Sequence, residues 1–374
     1  MKLSTRSFPV MRKSLFFILG IFYFHLGFAQ PIPFDDPQWE INAEGSLLED
    51  FQGKPSLYLR NGQAYLKDFE FTNGIIEFDL YITPRRGFPG VMFRWQDQDN
   101  FEEFYMRPHQ TGNPDANQYT PVFNKLAGWQ LYYGGAYSKA YRYKMDQWTH
   151  VKLVVSGTRA EVYIDDMEKP LLHIPELKRP LQAGSVGLKS FISPMHFANF
   201  TIQKIDDPPL IGQNQIPETL VGTIKDYQIS NAFNEMQLEE RYTLDEEFKK
   251  QFQWTEASVE ARGLLNLARY VVWNRETNTV FARVVVNSVR DQIKKLSISF
   301  SDRAKVYCNG QILYSGHDEF RSRDYRFLGT MGYYDDVYLP LNQGDNEVWL
   351  AISENFGGWA LMAMFDNMDG ISLK

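Results

Sequence analysis

The 374-residue sequence contains a single cysteine, Cys308, so it has no disulfide framework and no thiolate metal site. Its six histidines are scattered without the paired spacing that zinc sites use. Positive charge is also short. Lys and Arg number 39 against 46 Asp and Glu, a net charge of −7, which argues against binding a phosphate backbone. Internal repeats and low-complexity tracts are absent, and beyond the N-terminal stretch no apolar run is long enough to span a bilayer as a helix. Cys308, beside a turn, is expected to behave as a small buried apolar residue.

The N-terminus has a different character. Lys2, Arg6, Arg12 and Lys13 precede the apolar run Leu15 to Leu26, and Gly27-Phe28-Ala29 closes it with small residues. Residues 1–29 therefore read as an export signal cut near Ala29. Losing its four positive charges would take the net charge from −7 to −11. The mature chain is expected to be secreted, to the periplasm or beyond, with no stable membrane insertion.

From Phe34 onward short alternating runs are separated by Gly, Pro, Asn and Asp. In Gly74 to Ile82, Ile76, Phe78, Leu80 and Ile82 share one face and Glu77, Asp79 and Tyr81 the other, the period of a β-strand. Similar runs are Val91–Trp95, Phe101–Arg107, Gly128–Tyr133, Trp148–Ser156, Ala160–Ile164, Ser185–Leu188 and His196–Ile202. Asp206-Asp207-Pro208-Pro209 and the polar run to Pro217 mark a linker at 205–222 between domains at 30–204 and 223–374. In the second half, Glu235 to Phe252 reads as one amphipathic helical piece or a strand. Strands are expected at Thr279–Val286, Lys294–Phe300, Ala304–Cys308, Val337–Leu341, Glu347–Ile352 and Trp359–Phe365. Asn309-Gly310 between apolar runs is a two-residue hairpin signal. The fold class is all-β, with two sandwiches in series.

Ligand-competent side chains concentrate between Arg94 and Tyr132. Strand alternation puts Glu103, Tyr105 and Arg107 on one face, with Phe104 and Met106 toward the core. Arg94, Gln130 and Tyr132 join them if their strands are neighbours. His109, Asp115, Asn117, Gln118 and Tyr119 are assigned to a long polar loop. Planar amides, a guanidinium, carboxylates and aromatic faces are what a sugar ring requires, having hydroxyls at its edge and an apolar C–H face. Bland roles compete: Arg107 pairing with Glu103, Asp115 capping its loop, Trp129 filling the core. Asp97 and Asp99 are the oxygen-rich candidates for calcium, and no other cofactor is expected.

Several of these runs carry a resemblance. Gly74–Ile82, Gly87–Arg94, Phe104–His109, Trp148–Leu153, Ala160–Asp165, Gly184–Leu188 and Phe197–Phe200 resemble the concanavalin A-like lectin/glucanase superfamily, in particular its laminin-G-like and 3-keto-disaccharide-hydrolase-like modules. Lys305–Gly316, Leu341–Ile352 and Gly357-Gly358-Trp359 resemble the galactose-binding-like jelly roll. The resemblance implies a concanavalin A-like β-sandwich followed by a galactose-binding-like one. Laminarinase-type glycosidases of this superfamily carry three alternating acids on one strand. Glu77 and Asp79 match two of those positions, while the third falls at Tyr81 or Ile82, neither of which can serve as a carboxyl acid/base.

The leading expectation is a secreted protein that binds a glycan or polysaccharide, with no nucleic-acid partner. One alternative is a glycoside hydrolase with Glu103 or Asp115 as acid/base, assisted by His109. Another is a laminin-G-type module that binds protein.

Overall fold

The computed structural model describes residues 30–213, 216 and 218–374, so the expected export signal lies outside the described residues. Among those described, no helix is long and apolar enough to cross a membrane.

The first half of the chain supplies the strands β1 (Trp39–Phe51), β2 (Lys54–Leu66), β3 (Gly74–Ile82), β4 (Gly90–Asp97), β5 (Asn100–Met106) and β6 (Asn117–Phe123). They are followed by the short β7 (Leu126–Ala127) and β8 (Ser138–Lys139), then β9 (Gln147–Ser156), β10 (Arg159–Ile164), β11 (Leu172–Ile174), β12 (Ser185–Ser190) and β13 (Met195–Lys204). All pair antiparallel, in the order β11-β10-β9-β3-β13-β2-β12-β4-β5-β6-β7. The sheet folds over at β2. Its Leu57–Leu59 segment pairs with β13 in one layer, and its Gly62–Tyr65 segment pairs with β12 in the other. Ile76, Phe78, Leu80 and Ile82 are fully buried between the layers against Phe93, Phe104, Met106 and Phe197, as strand alternation requires. The opposite faces of β5 and β6 are thereby turned outward, and this front face is where the second half of the chain docks.

That second half is another sandwich. Its larger sheet contains β14 (Asp226–Ser230), β15 (Trp254–Ser258), β17 (Thr279–Ser288), β19 (Arg303–Cys308), β20 (Gln311–His317), β22 (Gly344–Ser353) and β24 (Ile371–Leu373). The smaller contains β16 (Leu265–Asn266), β18 (Gln292–Ser301), β21 (Asp335–Leu341) and β23 (Ala360–Phe365). The Asn309-Gly310 hairpin is present between β19 and β20, with φ of 49° and 80°, the left-handed pair such a turn needs. Cys308 is buried, which pushes its thiol up to about 11. Trp359 is fully buried in the core.

Three local expectations differ from what is found. Gly128–Tyr133 is not a strand: Leu131 and Tyr132 both donate backbone N–H groups to the Gly128 carbonyl, making a tight turn that enters the junction between the halves. Asn117, Gln118 and Tyr119 belong to strand β6, so the loop after β5 is shorter than expected. The 235–252 stretch holds a 3₁₀ turn (Glu235–Leu238) and one α-helical turn (Glu246–Lys249), because Leu238, Phe248 and Phe252 pack singly onto the larger sheet. Part of the linker is also fastened to the first sandwich. Ser156 donates to Asp207, and the N–H groups of Ile211 and Gly212 point at the Glu161 carboxylate.

Candidate functional site

The front face of β5 and β6 and the loops of the second sandwich enclose a cleft of about 500 Å³, a volume within the range of small-molecule sites. Strand alternation places Glu103 and Tyr105 in it, and Arg107 follows just beyond the end of β5. His109 sits on the 3₁₀ turn Pro108–Gln110, and Asp115 closes the same loop. These five expected residues converge on one concavity. Across from them stand Phe320, Arg321, Phe356 and Glu354 of the second sandwich.

Arg107 is buried, but its partner is not Glu103. Its Nη2 donates to Gln118 Oε1 at 2.7 Å and to the Tyr105 hydroxyl, and its Nη1 donates to the Asp115 carbonyl at 2.8 Å. Gln118 spans from this group to the carbonyls of Trp129 and Tyr132, so it positions Arg107 from behind without lining the cleft. Burial pushes the Tyr105 phenol up to about 12 despite the neighbouring guanidinium, which keeps it a neutral hydroxyl. The cation beside Glu103 is Lys189 on β12, with Nζ 2.9 Å from the carboxylate.

His109 has unfinished bonding. Its Nδ1 is buried without a hydrogen-bond partner, and its ring meets Phe88 edge-on at 5.3 Å. Burial, then the nearby Arg86 and Arg107 charges, hold its pKa below the usual imidazole value. Trp129 does not fill the core. It is half-buried at the cleft, with Phe320 at 6.0 Å and Phe356 at 5.7 Å between ring centroids, and together they form an aromatic wall drawn from both halves.

Three expected site residues are elsewhere. Arg94 has φ of 49°, which turns its side chain to the far side, where it donates to the Thr72 and Gly157 carbonyls and to Asn73 Oδ1. Gln130 and Tyr132 are buried in the junction. Gln130 donates to the Leu328 carbonyl and accepts from Ser301, while Tyr132 donates to Glu260 and accepts from Asn266. Lys178 Nζ approaches Glu260 Oε2 at 3.2 Å as an ion contact rather than an aligned hydrogen bond, and Arg269 holds the other oxygen at 3.0 Å. Gly357 lets the second sandwich approach this closely. Its φ is 109°, and a Cβ there would lie 1.9 Å from Gln130 Oε1.

The calcium candidates Asp97 and Asp99 lie in the hairpin between β4 and β5. Asp97 Oδ1 accepts from the Asp99 N–H and the Asn100 side chain, and no carboxylate or histidine cluster able to hold a metal occurs among the described residues. Glu77 and Asp79 lie on the outer face of the back layer, away from the cleft. Asp79 is held by Lys54, His150 and Asn199 at 2.6–2.7 Å, with Glu77 3.4 Å from His150.

Sequence reasoning missed the second wall. Glu354 is buried with Oε1 accepting from the Gly358 N–H and Oε2 unpartnered. Burial and the neighbouring Asp302 push its carboxyl well above the ordinary range. The glycine pair at 357–358 was the one local hint that backbone approaches something closely there.

Residues 37–203 match the family model described as a 3-keto-alpha-glucoside-1,2-lyase-like domain. No curated protein matches the chain. Among solved structures, the chain is similar to the carbohydrate binding module CBM66 from Bacillus subtilis, with 18% identity over 45% of this chain and 96% of that one, at a TM-score of 0.34. It is also similar to a putative glycosyl hydrolase from Parabacteroides distasonis, with 12% identity over 45% and 89% of the two chains and a TM-score of 0.32. A Bacillus licheniformis beta-glucanase shares 10% identity over 48% and 97%, with a TM-score of 0.33.

Proposed function

We infer that this is an exported carbohydrate-binding protein whose glycan lies in the cleft between the two sandwiches. The observation that carries the reading is the composition of that cleft. Trp129, Phe320 and Phe356 offer aromatic faces to the apolar side of a sugar ring. Glu103, Arg107, His109 and Asp115 offer polar groups to its hydroxyls. The match of residues 37–203 to a family named for a glucoside lyase supports sugar chemistry on the same sandwich. Calorimetric titration of the purified protein against an oligosaccharide panel tests it. Saturable binding that is lost in Trp129→Ala is expected, and a blank panel would shift the reading to a protein partner. Sequencing the N-terminus of the mature product tests export, with Gln30 expected first.

A second reading rests on His109. An imidazole that lines the cleft near Asp115, with its pKa held below the usual value, is equipped to take a proton from a bound sugar. Under it the protein turns over an oligosaccharide or a 3-keto-glucoside, with His109 as base and Glu103 or Asp115 assisting. Product release lost in both His109→Gln and Glu103→Gln is the expected result; no turnover across both substrate classes removes this reading and leaves the binding one.

A further inference from the structure

Buried charges in folded proteins are ordinarily paired, because a desolvated ion without a counter-ion is costly. Arg107 is 5% exposed, yet its three hydrogen-bond acceptors, an amide oxygen, a phenol and a peptide carbonyl, are all neutral. Its Nε–H has no partner among the described residues. Arg94 is as buried and also forms no ion pair among the described residues, but it is not part of the cleft lining and is held by three oxygens. Arg107 differs because it faces the cleft.

The other charges of the cleft do not make up the deficit. Glu103 is taken by Lys189 at 2.9 Å. At the rim Lys125 pairs with Asp99 at 3.7 Å and Arg326 with Asp324 at 3.5 Å. Arg86 and Arg321 are exposed and form no ion pair among the described residues; Arg321 lies instead over the Phe320 ring at 4.8 Å. On the acidic side Glu354 is buried, and its desolvation and the neighbouring Asp302 push its carboxyl well above the ordinary range. Among the described residues, three guanidinium groups without an ion pair, Arg86, Arg107 and Arg321, thus line the cleft beside two carboxyl groups without one, Asp115 and the buried Glu354, in a chain whose net charge is −7. The cleft has the opposite sign to the molecule around it.

Building on the carbohydrate reading, we propose that the cleft selects acidic glycans, with a sugar carboxylate or sulfate ester supplying the counter-ion that Arg107 lacks. Arg86 and Arg321 extend the same field to the entrance and draw the anion in. The aromatic wall stacks on the ring that bears the charged substituent, and Asp115 and His109 remain for its hydroxyls. A guanidinium suits both anions, since it presents directed N–H donors to carboxylate and sulfate oxygens alike.

The test is calorimetry on the whole protein with matched pairs: uronate oligosaccharides beside their carboxyl-reduced forms, and sulfated oligosaccharides beside their desulfated forms. The acidic member of at least one pair should bind about tenfold tighter, the scale of a charge-assisted contact, and its advantage should shrink at high salt. Preference within the uronate pairs identifies a carboxylate, and within the sulfated pairs a sulfate ester. Equal or tighter binding of the neutral members overturns the proposal and leaves the carbohydrate reading standing, whereas no binding by any oligosaccharide removes both. Arg107→Gln should abolish the preference. Because Arg107 also anchors its loop, the exposed double variant Arg86→Gln/Arg321→Gln is the companion. It should cut the preference several-fold, read as the ratio of acidic to neutral affinity within each pair, and an undiminished preference in both proteins would overturn the assignment.

Discussion

Two polar clusters lie where the halves of the chain meet, one bonded across the junction and the other not. Behind the cleft, Tyr132, Lys178, Glu260, Asn266 and Arg269 form a set in which each charge faces an opposite charge and the tyrosine both donates and accepts. Within the cleft, Arg107 has only neutral acceptors and both His109 Nδ1 and Glu354 Oε2 lack partners. The first cluster fastens the sandwiches together. The second borders the cleft and contains polar atoms that the fold leaves unpaired.

The contrast can be broken or sharpened by substitution. The largest effect is expected at Glu260. Glu260→Ala leaves Lys178, whose side chain is 3% exposed, with Glu176 as its one carboxylate partner among the described residues, and should cost about 3 kcal/mol. Denaturant unfolding measures this, and an unchanged midpoint would show that the rear cluster is not a fastening. Tyr132→Phe deletes one hydroxyl between Glu260 and Asn266 and should cost about 1–2 kcal/mol by the same measurement.

A smaller effect is expected from pH. Burial raises Asp302 from 3.8 to about 6, although the N–H groups of Asn355 and Phe356 oppose the shift. A raised folded-state value means that the fold holds this proton more tightly than the unfolded chain does. Its contribution is therefore complete below pH 3.8 and is lost as the pH rises through about 6. Asp302→Asn should flatten the Tm profile over that window by about 2–4 °C, and a slope surviving the substitution would assign it to other groups. The smallest effect on stability is expected at His109. With Nδ1 unpartnered, His109→Gln should change stability by less than about 0.5 kcal/mol while weakening ligand binding. A large loss of stability would place His109 with the fastening residues.

Legibility in the sequence follows the range of the interactions. The grouping of Glu103, Tyr105 and Arg107 needs only strand alternation within β5 and its end, and it is found as expected. His109 and Asp115 lie in a loop as expected, although that loop is shorter than the sequence suggests and returns to β6. Gln130 and Tyr132 are as ligand-competent by residue type, but their roles are set by partners far along the chain. Glu260 is 128 positions from Tyr132, and Leu328 is 198 from Gln130. Arg94 went astray through one backbone angle, since a positive φ in a strand reverses the face that alternation assigns. Phe320 and Phe356 lie in loops of the second sandwich, where no periodicity marks a residue as facing another domain.

The cleft has one wall inside the segment that matches the family model, which ends at residue 203, and another in the loops at 320–328 and 354–357. Inheritance can act on those walls separately. Two chains with the same first sandwich and different loops in the second would share a family assignment and differ in what they hold. Ligand preference in such proteins should therefore track the loops of the companion domain more closely than the domain by which they are classified.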